Sequence, residues 1–257
     1  MKNVDIEQII DIVKEASQLF ADREAAEHTT VKGKADFVTE VDVAVQNYIQ
    51  ERLENLYPQI QFLSEEKDNE DVDRNGLVWV LDPVDGTTNL IHDYKASVIS
   101  LALVEAGEPM IGIVYNLSNK ELFTAKAGEG CFCNGKKVRV SQASKMEECL
   151  ISIGTSPYYK EMAKKNFEIF EKLFCDCQDI RRTGSAALDL AYVASGRIEG
   201  YFERSLKIWD FAAGMLLVKE AGGVVKNYQG ENAKMEMVGD IVAGNREVVM
   251  QLVEKYF

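Results

Sequence analysis

Apolar residues recur at helical spacing near the start of the chain and predict two amphipathic helices. The first covers residues 4–27. The second follows a break at Gly33, has Thr39 as its N-cap with Asp42 as the capping-box partner, and ends at Pro58. The core-facing positions are Ile6, Ile9, Ile10, Val13, Ala16 and Phe20 in the first helix, and Val41, Val45, Tyr48, Ile49, Leu53 and Leu56 in the second.

From residue 60 the spacing changes to that of strands, and later helices and strands alternate. Residues 77–81 have no polar face and predict a buried strand. The pattern is that of a mixed α/β protein with layered sheets and helices, forming one domain over residues 1–257. The other predicted strands are 60–63, 98–104, 110–115, 121–125, 131–133, 136–140, 150–153, 198–203 and 241–243; the other helices are 160–174, with Phe167, Phe170 and Phe174 directed inward, 185–194, 210–221 and 247–256.

The composition narrows the class of protein. The 257 residues include 42 Asp or Glu and 29 Lys or Arg, for a net charge of −13. This excess of acid argues against nucleic-acid or anionic membrane partners and suits a protein that binds cations. No apolar run is long enough to span a membrane, no secretory signal opens the chain, and the odd number of cysteines, 5, indicates free thiols. We therefore expect a cytoplasmic protein.

The candidate chemistry is concentrated in residues 82–89, which read Asp-Pro-Val-Asp-Gly-Thr-Thr-Asn. Asp82 follows the buried strand, and ligands collect at the carboxyl ends of strands in α/β sheets. Gly86 and Thr87 begin a helix, whose free backbone N–H groups favour an anion such as phosphate. Two carboxylates beside a phosphate repel it unless a divalent cation lies between them, and oxygen ligands of this kind suit Mg²⁺. A turn of purely structural importance explains the combination less well.

Two further acidic residues fit the same site, although each has an alternative interpretation. Glu65 follows another strand end, where a solvated run of charge would look the same. Asp210 lies at the start of a predicted helix, where a carboxylate also stabilises the helix dipole. Spacing alone leaves both interpretations of Asp210 open.

Five segments in order resemble the signatures of the inositol monophosphatase family. The most specific are 82–89 and the later motif 209–214, Trp-Asp-Phe-Ala-Ala-Gly. Segments 34–42, 62–66 and 220–223 resemble its N-terminal signature, its Glu motif and its Gly-Gly turn. The resemblance implies an α/β fold, an αβαβα layered sandwich with mixed sheets of the inositol monophosphatase and fructose bisphosphatase type. It also implies Mg²⁺-dependent hydrolysis of a phosphate monoester.

The resemblance further implies two Mg²⁺ ions and a third that is held more weakly. Glu65, Asp82 and the Val84 carbonyl would bind the first ion. Asp82, Asp85 and Asp210 would bind the second. The third would lie near Glu65, with Asp36 and Asp42 close to it.

The remaining implied roles concern water and substrate. Thr87 and Glu65 would orient and help deprotonate the attacking water, while the backbone N–H groups of Gly86 and Thr87 would bind the phosphate. The loop at 31–35 is one residue shorter than in the animal enzymes, which leaves open whether Lys32 or Lys34 approaches the site. The substrate contacts on the alcohol side would come from Ser185, Ala186 and Glu203, together with Asp85 and Asp210.

The leading functional hypothesis is an inositol monophosphatase that forms a homodimer and acts on a small phosphorylated metabolite. Relatives hydrolyse other small phosphates, namely NADP(H), fructose 1,6-bisphosphate, histidinol phosphate and 3′-phosphoadenosine 5′-phosphate. A different class of function is a regulatory partner protein that keeps the fold without catalysis and binds RNA-associated machinery. The complete set of acidic residues argues against that alternative.

Overall fold

The computed structural model describes residues 4–33 and 36–257, and the side chains of Lys32 and Asp36 are also outside what it describes. The predictions made for Lys32, Lys34 and Asp36 therefore lie outside the described residues. The helices are α1 (Ile6–Ser17), α2 (Arg23–Glu27), α3 (Glu40–Leu56), α4 (Thr87–Ile91), α5 (Ala163–Asp176), α6 (Ala186–Ala194), α7 (Ile208–Glu220) and α8 (Arg246–Tyr256).

The strands form three sheets. A sheet of 7 strands has the order β3-β4-β5-β6-β7-β8-β9, a sheet of 5 has the order β11-β10-β12-β14-β13, and β1 and β2 form a hairpin. Both larger sheets mix parallel and antiparallel pairs. The strands are β1 (Thr29–Gly33), β2 (Asp36–Thr39), β3 (Gln61–Ser64), β4 (Leu77–Asp85), β5 (Val98–Glu105), β6 (Glu108–Asn116), β7 (Glu121–Lys126), β8 (Gly130–Cys133), β9 (Lys136–Val138), β10 (Leu150–Ile153), β11 (Asp179–Arg181), β12 (Gly200–Lys207), β13 (Val224–Lys226) and β14 (Val238–Gly244).

Successive side chains of β4 point to opposite faces of the sheet, and this shows how the layers pack. Val78 and Val80 face a core shared with α6 and α7, whereas Trp79 and Leu81 face a second core shared with α1 and α3. Both faces of the strand are therefore buried, as its apolar sequence predicts. A third core joins the smaller sheet to α5 and α8. The resulting order of helix, sheet, helix, sheet and helix layers confirms the predicted αβαβα sandwich.

The central helix α7 is packed unusually closely against its neighbours. A Cβ atom on Gly112 of β6 would lie 2.8 Å from the Ala213 carbonyl oxygen, and one on Gly214 would lie 2.5 Å from Leu190 of α6. Both distances are shorter than a normal contact, so glycine is needed at position 112, where β6 faces α7, and at position 214, where α7 faces α6. This packing fixes α7, and with it the residues of its first turn.

Two predictions about helices are wrong in detail. The first helix ends at Ser17, and a short 3₁₀ turn separates it from α2. On α5 only Phe170 of the three phenylalanines is buried, while Phe167 and Phe174 are 61% and 57% exposed. The buried stripe runs through Asn166, Phe170 and Leu173, because an outer-layer helix contacts the sheet along one narrow face. Within the described residues, no helix is long and apolar enough to cross a membrane.

Candidate active site

The end of β4 brings two buried aspartates into one cavity. The strand runs through Asp85, beyond its predicted end at residue 81, and its pairing with β5 is irregular between Asp82 and Asp85. In this irregular segment the Asp82 carboxylate accepts a hydrogen bond of 3.0 Å from the Val84 N–H. Asp82 and Asp85 are only 2% and 8% exposed. The segment therefore buries two carboxylates that are separated by only two residues.

Gly86 turns the chain from β4 into α4. Its φ of +92° lies in the left-handed region, and a Cβ atom there would lie 3.2 Å from the Ala96 carbonyl oxygen. The Ser97 hydroxyl donates to the Gly86 carbonyl. Asn89 then donates to the Ala96 and Thr183 carbonyls, both at 3.0 Å, which ties this turn to the loop before α6.

Thr87 is held by a buried acid from a distant part of the chain. Its Oγ1 atom lies 2.9 Å from Asp42 Oδ1 and 3.1 Å from the Val84 carbonyl oxygen. The other Asp42 oxygen accepts a bond from the Thr39 N–H, completing the predicted capping box. The sequence predicts Asp42 as the capping-box partner of Thr39 and as a neighbour of the third ion, but not its contact with Thr87. The motif at 34–42 was the available signal, but the contact joins residues 45 positions apart.

Glu65 and Asp210 join the two aspartates from other elements. Glu65 follows β3, which pairs in parallel with β4, and its N–H donates to the Leu81 carbonyl. Asp210 lies in the first turn of α7, where its Oδ2 atom accepts a bond of 2.7 Å from the Lys207 N–H. The structure therefore gives Asp210 both of its predicted environments, the helix start and the acidic cavity.

The electrostatics show that these carboxylates are close together. Burial raises the pKa of Asp82 well above its usual range, and the charges of Glu65, Asp85, Asp210 and Asp42 raise it further. Burial, followed by the charges of Asp85 and Glu65, likewise raises the pKa of Asp210. A bound cation would remove this repulsion.

Asp85 also connects the first motif to α6. Its Oδ2 atom accepts hydrogen bonds from the Ser185 hydroxyl at 2.7 Å and from the Ala187 N–H at 2.6 Å. Burial raises the pKa of Asp85 to about 6, against the opposing effect of these bonds. The predicted residues Ser185 and Ala186 therefore lie beside Asp85.

Glu203 of β12 is fixed at the far side of the same region. Its oxygens accept bonds from the Ser156 N–H at 2.8 Å and from the Tyr201 hydroxyl at 2.7 Å. A Cβ atom on Gly154 would lie only 1.9 Å from Glu203 Cδ, so this glycine makes room for the carboxylate. Burial raises the pKa of Glu203.

The predicted ligands of the first two ions, Thr87, Gly86 and the predicted substrate contacts all line one of two adjoining chambers, whereas Asp42 lines neither. The larger has a volume of about 290 Å³ and the smaller about 80 Å³, and Asp85, Gly184 and Asp210 line both. Larger cavities, of about 520 and 750 Å³, lie elsewhere and lack these carboxylates. The larger chamber is lined by Glu65, Asp82, Val84, Asp85, Gly86, Thr87 and Asp210, and the smaller by Asp85, Ser185, Ala186, Glu203 and Asp210.

The donor set fits Mg²⁺. Glu65, Asp82, Asp85 and Asp210 offer carboxylate oxygens, and Val84 offers a carbonyl oxygen, with no nitrogen or sulfur ligand on the cavity wall described here. Among residues 4–33 and 36–257, no three or more His, Cys, Asp or Glu side chains form a ready-made metal-binding group. Mg²⁺ does not need a complete protein-built group, because water and substrate phosphate usually supply part of its coordination shell.

The sequence and the fold of this chain are similar to those of known proteins. The family model described as "Inositol monophosphatase family" matches residues 1–256. The Nus factor SuhB of Escherichia coli K12 is 44% identical over 218 residues, which cover 85% of this chain and 81% of that protein. The inositol-1-monophosphatase of Rhizobium meliloti is 37% identical over 225 residues, covering 88% of this chain and 84% of that protein. A crystal structure of extragenic suppressor protein suhB from Bartonella henselae has a TM-score of 0.89 and 34% identity, covering 97% of each chain.

Proposed function

The chain belongs to the inositol monophosphatase family, and from this premise we propose that it hydrolyses inositol monophosphate to inositol and phosphate in a Mg²⁺-dependent reaction. Membership of the family implies phosphatase activity. The observation that carries the proposal is the meeting of Glu65, Asp82, Asp85 and Asp210 in one cavity. Burial raises the pKa of Asp82 there, and the charges of the other three carboxylates raise it further. Buried carboxylates that repel one another in this way are arranged for a cation.

We assign the first Mg²⁺ to Glu65, Asp82 and the Val84 carbonyl, and the second to Asp82, Asp85 and Asp210. Bound Mg²⁺ would lower the pKa of the attacking water and offset the negative charge that develops on the leaving oxygen. A third ion near Glu65 and Asp42 remains a prediction.

The side chain of Thr87 is suited to orienting the water. A hydroxyl has a single hydrogen, and the acceptors within reach of it are Asp42 and the Val84 carbonyl. With that hydrogen donated, the lone pairs of Thr87 Oγ1 are left to accept a hydrogen from water. Glu65 lines the same chamber and would take up the proton.

The phosphate and the alcohol would occupy different ends of the cavity. The N–H groups of Gly86 and Thr87 would bind the phosphate at the larger chamber. Glu203, with Ser185 and Ala186, would accept and position the hydroxyl groups of the alcohol in the smaller chamber. The bonds that Ser156 and Tyr201 donate to Glu203 keep its carboxylate in place.

The test is release of inorganic phosphate from inositol 1-phosphate with EDTA, with Mg²⁺ and with Ca²⁺. We expect activity with Mg²⁺ only, because Ca²⁺ coordinates more loosely and would misplace the water; inhibition by Li⁺ is expected from the family resemblance alone. A parallel panel with NADP(H), fructose 1,6-bisphosphate, histidinol phosphate and 3′-phosphoadenosine 5′-phosphate compares kcat/KM. Equal rates in EDTA would refute the metal mechanism, and a higher kcat/KM for another substrate would replace inositol phosphate.

The names of the relatives favour a second candidate, a regulatory factor. The E. coli relative is named a Nus factor, so a partner role that does not depend on phosphatase activity is the alternative for this chain. Absence of phosphate release from every substrate in Mg²⁺ would favour it. The expected homodimer and the cytoplasmic location remain predictions, and light scattering tests the first.

A further inference from the structure

A bulge interrupts β12 directly after the carboxylate that faces the alcohol side of the cavity. Between Glu203 and Leu206, two residues of β12 lie opposite a single residue of β14, Asp240. An extra residue of this kind is a β-bulge, which bends the strand and changes the direction in which the following side chains point. The bulge therefore decides what β12 presents to the cavity after Glu203.

The bulge brings Leu206 to the same side of the strand as Glu203. In a regular strand, side chains three positions apart point to opposite faces of the sheet. Here Glu203 and Leu206 both line the smaller chamber, and Leu206 is only 6% exposed. A carboxylate and an apolar side chain are thus placed side by side, the first suited to the hydroxyl groups of an alcohol and the second to its C–H groups.

Ser205 has the unusual backbone conformation on which the bulge depends. Its φ of +57° lies in the left-handed region, which residues other than glycine rarely adopt. Such a conformation persists only where surrounding contacts hold it. The Ser205 N–H donates a hydrogen bond of 2.9 Å to Oδ1 of Asp240, the residue opposite the bulge. This bond holds Ser205 in place.

Asp240 acts on the bulge from outside the cavity, since it lines neither chamber. Its Oδ2 atom lies 3.7 Å from Nη1 of Arg204, and Cζ of that arginine lies 4.2 Å from the centre of the Tyr228 ring. The Arg204 carbonyl accepts a 3.0 Å bond from the Ser156 hydroxyl, and the N–H of the same serine donates to Glu203. Both residues of the bulge are therefore anchored, and one anchor is shared with Glu203.

We propose, on the basis of the phosphatase function above, that Asp240 is a positioning residue for recognition of the alcohol. By holding Ser205 in the left-handed conformation, it keeps Glu203 and Leu206 on one side of β12. Without this bond, Ser205 would return toward the extended conformation and turn Leu206 away from the chamber. The metal ligand Asp210 should be little affected, because close packing at glycines fixes its helix separately.

Two substrates with the same kind of scissile phosphate isolate the alcohol contact. Inositol 1-phosphate carries a hydroxylated ring, whereas ethyl phosphate has no hydroxyl group for Glu203 to bind. The measurement is the ratio of their kcat/KM values, inositol 1-phosphate over ethyl phosphate, in saturating Mg²⁺. Circular dichroism confirms that each variant is folded at the assay temperature. The variants are Asp240→Ala, Asp240→Asn, Ser205→Val, the double variant Asp240→Ala with Ser205→Gly, and the control Asp73→Ala.

We expect Asp240→Ala to lower this ratio by about tenfold, as for loss of a hydrogen bond to a charged group, mainly through the KM of inositol 1-phosphate. Ser205→Val should lower it similarly, because a β-branched residue is strongly disfavoured at positive φ. Asp240→Asn should keep a ratio close to that of the wild-type protein, since its amide oxygen still accepts the Ser205 N–H. In the double variant, glycine at position 205 should restore most of the ratio, because it adopts positive φ without an anchor.

Asp73→Ala is the matched control. The Asp73 carboxylate also accepts a backbone N–H, that of Asn75 at 3.0 Å, and Asp73 lines neither chamber. Its replacement should leave the ratio unchanged.

A ratio within about twofold of the wild-type value in both Asp240→Ala and Ser205→Val would overturn the proposal. Equal losses for the two substrates would also overturn it, because they would mean a general disturbance of the site, and so would a double variant that regains none of the ratio. Should Asp240→Ala fail to fold, Ser205→Val and the double variant carry the same test.

The phosphatase function can fail separately, if the wild-type protein hydrolyses neither substrate. Calorimetry with Mg²⁺ then gives the corresponding ratio from the Kd values of inositol 1-phosphate and ethyl phosphate. A ratio that falls in Asp240→Ala and recovers in the double variant would support the positioning role without catalysis. An equal ratio in the wild-type protein and the variants, or no binding of either compound, would overturn it.

Discussion

Asp210→Asn separates the two environments of Asp210, the helix start and the acidic cavity. The carboxylate accepts the Lys207 N–H at 2.7 Å in the first turn of α7. Asparagine has nearly the same size, and its side-chain oxygen still accepts this bond. The substitution therefore removes the charge and leaves the capping geometry.

The effect on stability differs in sign between the two interpretations. A carboxylate that served only the helix dipole would contribute about 0.3–1 kcal/mol, so its loss would lower the Tm by about 1–4 °C in a chain of this size. In the structure, burial and the charges of Asp85 and Glu65 raise the pKa of Asp210, which means that its ionised form is unfavourable unless a cation is bound. We therefore expect an unchanged or higher Tm for Asp210→Asn in EDTA.

In Mg²⁺ we expect the opposite, with a higher Tm for the wild-type protein than for Asp210→Asn. A ligand at about 100 times its Kd stabilises the wild-type protein by about 2.7 kcal/mol, and the variant, with one carboxylate fewer, should gain less. With inositol 1-phosphate, kcat should fall by about 10²-fold, equivalent to about 2.7 kcal/mol of transition-state stabilisation. Saturating Mg²⁺ should restore only part of the rate, because a weakly held ion is also poorly placed.

Differential scanning calorimetry in EDTA and in Mg²⁺, together with phosphate release over a Mg²⁺ titration, makes the test. Asp5→Asn is the matched control, since Asp5 caps α1 through the Glu7 N–H and lies outside both chambers. It should lower the Tm slightly in both buffers and leave kcat unchanged. A normal kcat for Asp210→Asn at low Mg²⁺ would return Asp210 to a purely structural role.

Four further substitutions test three other contacts. Asp42→Asn and Thr87→Val should each lower kcat at saturating Mg²⁺ by about tenfold or more. The double variant should lose little more than either single variant, because a hydrogen bond of 2.9 Å joins the two side chains and they act together. Asp189→Asn should increase the free energy of unfolding in urea, slightly at pH 4 and by more toward pH 8. Burial raises the Asp189 pKa from 3.8 to about 8, so the wild-type protein loses up to about 1.4 kcal/mol per pH unit across that window. Gly154→Ala should raise KM more than it lowers kcat, because its Cβ would lie 1.9 Å from Glu203 Cδ and displace that carboxylate.

Each of these expectations has a contrary outcome. Fully additive losses in kcat would mean that Asp42 and Thr87 act separately. A constant difference in unfolding free energy between pH 4 and pH 8 would mean that Asp189 is ionised throughout. A normal KM for Gly154→Ala would show that the substrate does not depend on the position of Glu203.

Local sequence was sufficient for the features that depend on local physics. The apolar run of β4 predicted a strand buried on both faces, and the structure divides Val78 and Val80 from Trp79 and Leu81 between two cores. The Asp-rich segment after it predicted acids gathered at the end of this strand, and the structure places Asp82 and Asp85 in one cavity; their role as metal ligands stays a prediction. The capping box at Thr39 was also readable, because all its members lie within one turn.

The sequence does not predict contacts between distant segments or the orientation of the outer helices. Ser185 reaches Asp85 across 100 residues, and Thr87 reaches Asp42 across 45. No local pattern encodes such distances; only the resemblance to a family suggested that these segments meet. The exposed Phe167 illustrates the second limit, since a stripe of apolar residues predicts a buried face but does not fix its rotation about the helix axis.

The close packing of α7 explains why the carboxylates stay together despite their repulsion. Left free, Asp210 would relieve the unfavourable charge by moving toward solvent, but its helix is held where glycines at 112 and 214 leave no room to shift. The repulsion therefore persists in the folded chain and adds to burial, the larger cause, in keeping the pKa of Asp82 and Asp210 raised. A divalent cation bound there would release this unfavourable energy as binding affinity, so the apolar packing of the core would act on the affinity for the metal. Substitutions that loosen this packing should weaken Mg²⁺ binding even though they touch no ligand.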